Sequence, residues 1–140
     1  MLKALRRILR KVKVLFFGDP IVIASKTPYS GTVTPSDLNV ETTVIEITGE
    51  SDDYIVEGYL DLSQLQSGDE VVVREYIAVD GTNYRLFLKA TFSGVQEQPI
   101  VRFHAKTLLK NMKYKVTITQ TQGTLRSFPY GFIKEVMGSA

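Results

Sequence analysis

Hydrophobic positions along this chain change period once. In the first thirteen residues, MLKALRRILRKVK, they recur at helical spacing. Placed at about 100° per residue, Met1, Leu2, Ala4, Leu5, Ile8, Leu9 and Val12 share one arc, and Lys3, Arg6, Arg7, Arg10, Lys11 and Lys13 share the opposite one. The pattern predicts an amphipathic helix from Leu2 to about Phe17. Gly18-Asp19-Pro20 should stop it, because Gly takes the left-handed cap position and Pro cannot continue the helix.

Further on, the period is two. Ile21-Val22-Ile23-Ala24 is a short apolar run of strand type, and Ser25 to Asn39, with Pro28, Gly31 and Pro35, reads as a linker or an extended edge segment. Thr42 to Thr48 is β-branched. In Tyr54 to Asp61, Tyr54, Val56 and Leu60 share one face and Glu57 and Asp61 the other. Leu62 to Asp69 reads as a turn that could close over a sandwich end. Val71 to Val79 and Asn83 to Phe92 are strands about Asp80-Gly81, a dipeptide suited to a primed hairpin turn because Gly tolerates positive φ. Ile100 to Ala105 follows Pro99. Tyr114 to Gln120 alternates, with Tyr114, Val116 and Ile118 inward and Lys113, Lys115, Thr117 and Thr119 outward. Leu125 to Val136 is a last strand that Pro129 marks as an edge or a bulge, and Gly138-Ser139-Ala140 reads as a loose tail.

Seven or eight strands at a spacing of roughly 8–12 residues predict an antiparallel β-sandwich, jelly-roll or immunoglobulin-like. The expected organisation is a basic amphipathic helix over 1–18, a linker or edge segment over 19–41 and a β-sandwich domain over 42–137.

Charge sharpens this division. The chain has 140 residues, 44% hydrophobic, and a net charge of +2. Six of its 17 Lys and Arg lie in residues 1–13, and all 15 acids lie beyond, which leaves 11 basic against 15 acidic residues, a net of −4. A mildly acidic body thus carries a strongly basic segment. The helix suits phosphate-only contact with a nucleic-acid backbone, or an anionic membrane, through Lys3, Arg6, Arg7, Arg10, Lys11 and Lys13. It also suits docking to a neighbouring subunit through Leu2, Leu5, Ile8, Leu9 and Val12. A helix packed on its own β-domain, with its charges solvated, stays open.

Catalytic chemistry finds little support. With no cysteine there is no disulfide, thiolate zinc site or Cys nucleophile, and the single histidine, His104, cannot make the usual zinc site. Asp52-Asp53 and Asp69-Glu70 lack calcium-loop spacing and read as solvated turn residues. Phe128, Tyr130 and Phe132 share a parity that fits core packing better than a stacking platform. No phosphate loop, GxSxG elbow or HExxH helix occurs. No cofactor, metal or small-molecule substrate is implied.

Three stretches together resemble small β-sandwich proteins of viruses and uncultivated microbes, archaeal ones especially. They are Asp61-Leu62-Ser63 with Leu65-Gln66-Ser67-Gly68-Asp69; Val79-Asp80-Gly81-Thr82-Asn83-Tyr84-Arg85; and Gln120-Thr121-Gln122-Gly123-Thr124 with Arg126-Ser127-Phe128-Pro129-Tyr130. The resemblance runs from Tyr54 to Val136 and implies a virion component, with no catalytic residues. The expectation is therefore a non-enzymatic, self-assembling structural protein. It would be a capsid, decoration or filament subunit located in a virion, homo-oligomeric or part of a larger viral assembly. The alternative is a module held on a membrane surface by the basic helix.

Overall fold

The computed structural model describes residues 21–139, and the helix expected over 1–18 lies outside them. The described chain is all β: β1 (Ile21–Val33), β2 (Thr42–Ile47), β3 (Tyr54–Asp61), β4 (Glu70–Ala78), β5 (Arg85–Ser93), β6 (Ile100–Leu108), β7 (Lys113–Gln122) and β8 (Phe128–Ser139). They form two four-stranded antiparallel sheets, ordered β1-β8-β3-β6 and β2-β7-β4-β5.

This order follows from one nested pairing. Ile21 pairs with Ser139, Thr42 with Ile118, Tyr54 with Leu108 and Glu70 with Ser93, so the midpoint of every one of these ladders falls close to Gly81. The chain is in effect one long antiparallel ribbon doubled back at the β4–β5 turn. Each half then changes sheet at every connection except that turn. Two further ladders, β3 with β8 and β4 with β7, join the rolled ribbon into sheets.

The apolar parity of the strands makes the core. From one sheet come Tyr54, Val56, Leu60, Phe103, Phe128, Phe132 and Val136; from the other come Ile45, Ile47, Val71, Val73, Tyr114, Val116 and Ile118, all of them buried. Inward side chains of two stacked sheets leave water together, which is the main favourable term in such a fold. Leu62 and Leu65, both fully buried in the β3–β4 connection, close one end.

Several local expectations change. Residues 25–33, read as linker or edge segment, belong to β1, an edge strand that tolerates Pro28. The β4–β5 connection is not a two-residue turn. It runs from Val79 to Tyr84, and the Asp80 carboxylate organises it by accepting the N–H groups of Thr82 (2.8 Å) and Asn83 (2.7 Å) and the Asn83 side-chain amide (2.8 Å). Gly81 still sits at a positive φ of 77°. Gly138 and Ser139 are not a tail: β8 carries them opposite Val22 and Ile21. Thr117 and Thr119 face outward as expected, yet are only 2% and 7% exposed, because Thr117 donates to Glu41 Oε1 and Arg74 to Thr119 across the sheet surface.

Candidate functional site

The strongest departure from ordinary burial is β5. It ends the β2-β7-β4-β5 sheet, with no strand on its far side among the described residues. Along its nine residues no side chain is fully buried. Leu86, Phe87 and Leu88 are 53%, 58% and 45% exposed. Register explains the geometry. Leu88 lies opposite the buried Glu75, Ala90 opposite Val73 and Phe92 opposite Val71, so these β5 residues have the core parity. Ala90 and Phe92 are half-buried, with Phe92 packed against the core, while Leu88 of the same parity stays exposed, so the cover thins toward the start of the strand. Between Glu75 and Tyr76 the ladder slips by one residue, and Phe87 is left without a partner as an exposed bulge. Arg85 and Lys89 are the strand's only charges.

Behind the edge lies a charged cluster. Glu75, 1% exposed on β4, accepts a hydrogen bond from the Tyr114 hydroxyl of β7 and an ion pair from Lys106 Nζ of β6 at 2.7 Å. The pair ties one sheet to the other. Lys106 Nζ also stands 5.6 Å from the Phe87 ring centre and 5.8 Å from that of Tyr114. Burial, and then the bond to Glu75, push the Tyr114 hydroxyl far above the usual tyrosine range, so it stays protonated and donates.

Two other ionic contacts brace loops. Asp69, read from sequence as a solvated turn residue, is 3% exposed. Its Oδ2 accepts Gln66 N–H (2.9 Å) and Arg126 Nε (2.7 Å), and its Oδ1 accepts Thr124 N–H (3.1 Å). Burial alone would raise its pKa, but Arg126 and the two backbone donors outweigh burial and hold it below the usual carboxylate range. The glycine at 123 brings this loop against Asp69, since a Cβ there would stand 2.8 Å from Asp69 Cα. Lys134 pairs with Glu50 between β8 and the β2–β3 loop.

No protein-family model matches the chain, and no curated protein matches it. Among solved structures, it is similar to the VP2 subviral particle of infectious bursal disease virus, at a TM-score of 0.44 and 12% identity over 84% of this chain and 33% of that one. The Gt strain structure of the same virus gives 0.43 and 15% over 84% and 33%, and the Gx strain structure 0.45 and 12% over 84% and 32%. The chain spans about a third of the length of these proteins.

Lys3, Arg6, Arg7, Arg10, Lys11, Lys13, Leu2, Leu5, Ile8, Leu9 and Val12 all lie outside the described residues. His104 is exposed on β6, and its carbonyl accepts Lys106 Nζ at 2.6 Å. No cluster of three His, Asp or Glu residues suited to a metal occurs among the described residues. The β5 edge itself was missed. Leu86-Phe87-Leu88 is a run of three apolar residues, but so is the buried Val71-Val72-Val73 of the central β4, so the sequence carries no signal that separates the open edge from a covered strand.

Proposed function

We propose that this chain is a non-enzymatic structural subunit that assembles with copies of itself, as a virion component does, through the β5 edge. The observation that carries this reading is the open, apolar β5. Natural proteins shield edge strands with Pro, charge, shortness or a covering element. Here β1 contains Pro28, β2 has only six residues and β6 carries Arg102, His104 and Lys106, whereas β5, between Arg85 and Lys89, offers three consecutive exposed apolar side chains. Such an edge is complete once another strand covers it.

A second copy is a suitable occupant. In the β2-β7-β4-β5 sheet every neighbour is antiparallel, so β2 and β5 run in opposite directions at its two edges. A neighbouring copy's β2 added beside β5 would continue the alternation, in a head-to-tail contact of the kind that builds rings and shells. The strand order β1-β8-β3-β6 over β2-β7-β4-β5, with its nested pairing, is that of a jelly roll, an architecture used by viral capsid proteins. Basic residues 1–13 join this body through β1 and suit a polyanion in the same assembly.

Sedimentation velocity of the full chain and of Phe87→Lys tests the proposal. Phe87 is exposed, so the variant should fold. The parent is expected as species well above 15.7 kDa, and the variant at that mass. A parent that stays monomeric at every concentration, or a variant that assembles like the parent, would reject it.

A further inference from the structure

Two glycines lie in adjacent positions of the central strands of the other sheet, and only one has a packing reason to be glycine. At Gly58 of β3 an added Cβ would stand 2.6 Å from Gly131 O and closer still to the Phe132 ring. At Gly131 of β8 nothing lies within 4 Å of an added Cβ, and the residue is not among those with positive φ. A glycine inside a strand weakens it, and where it persists it often marks a place that a ligand or another backbone approaches closely. Nothing in the described chain approaches. The cross-strand partners of Gly131 are Tyr59, which is 52% exposed, and Ser30, and neither covers it.

Gly131 therefore floors an empty notch on the outer face of the sheet. Tyr59, Asp61, Ile100, Pro129 and Tyr130 line it with Gly131, and its volume is about 150 Å³. Ile100 is 53% exposed. Asp61 Oδ1 accepts Ser63 N–H at 2.8 Å, while Oδ2 has no protein donor among the described residues. The notch thus combines a half-exposed aromatic ring, aliphatic walls, a bare floor and one carboxylate oxygen ready to accept. A pyranose has the complementary form: a face of C–H groups and a rim of hydroxyl donors. A few polar groups set among apolar ones is also the usual make-up of a ligand site.

We propose that the notch over Gly131 binds one sugar unit of a glycan. The C–H face of the ring lies against Tyr59 and Pro129, and a hydroxyl donates to Asp61 Oδ2. This site is on a different sheet from β5 and does not depend on assembly.

The test is a heteronuclear NMR titration of the full chain with a panel of methyl glycosides, on the parent, Gly131→Val and Tyr59→Ala. The parent should show shifts confined to the residues around Gly131 for at least one glycoside. Gly131→Val fills the floor with a residue that strands favour, so it should melt no lower than the parent while its affinity falls at least tenfold. Tyr59→Ala, at an exposed position, should weaken binding to a similar degree. If no glycoside moves these resonances, or if Gly131→Val binds as the parent does, the proposal is wrong. It is equally wrong if Gly131→Val abolishes assembly without any glycoside response in the parent, because the notch would then hold a side chain of a second copy.

Discussion

Gly58 and Gly131 provide a matched pair of substitutions on neighbouring strands with opposite expected outcomes. Gly58→Ala directs a methyl at the Phe132 ring and at Gly131 O. Phe132 is 4% exposed and packs against Phe103 with ring centres 5.1 Å apart, so its ring can yield only by disturbing the core. The carbonyl belongs to the paired backbone and cannot rotate away. Overpacking of this type should cost about 2–3 kcal/mol. For a domain of this size roughly 3–5 °C is lost per kcal/mol, so the melting midpoint should fall by about 6–15 °C. Gly131→Ala meets no atom and a permissive backbone, and should stabilise by about 0.4–1 kcal/mol through lost freedom of the unfolded chain. Thermal melts followed by circular dichroism, in a Phe87→Lys background so that assembly does not shift the midpoint, compare the two. Melts for both variants within a degree or two of the parent, or a lower melt for Gly131→Ala than for Gly58→Ala, would refute the packing described between β3 and β8.

Three further outcomes are expected. Lys106→Met leaves Glu75 buried without its counter-charge and should lower stability by about 3–5 kcal/mol in urea unfolding, whereas Glu75→Gln with Lys106→Met, which removes the charge and keeps an acceptor for Tyr114, should recover most of it. Gly81→Ala, at φ 77° with Asn111 O 2.7 Å from the added Cβ, should cost roughly 1–2 kcal/mol, and Thr82→Ala far less. Because Asp69 has a depressed pKa in the folded chain, its contribution is complete above the ordinary carboxylate range and is lost as pH falls through the folded value. Asp69→Asn should therefore flatten the acid limb of a stability–pH curve, while the exposed Asp80, held at about 2 by Asn83 and Thr82 donors, keeps its turn bonds further into acid than an ordinary carboxylate would.

Strand identity was legible because alternation is a local signal. Tyr54, Val56 and Leu60, and Tyr114, Val116 and Ile118, are fully buried as their parity predicts. The Pro28 segment was ambiguous, since its pairing with Ile133 on β8 lies far off in sequence. Asp69 was misread for the same reason: Thr124 and Arg126, which anchor it, are on another loop. The nested order of strands depends on which sheet each connection enters, and side-chain period does not encode that. The notch at Gly131 shows only when the space above a single residue can be measured, so a sequence gives Gly131 and Gly58 the same meaning.

The most direct measurement of an edge buried between copies is amide hydrogen exchange across Arg85–Ser93 as a function of chain concentration. An edge strand alone exchanges quickly on its unpaired side, and a covered one does not. Protection of the β5 amides should rise with concentration in step with the mass of the sedimenting species, and should not rise in Phe87→Lys. If the full chain forms large species while β5 exchanges at one fast rate throughout, assembly through this edge is contradicted.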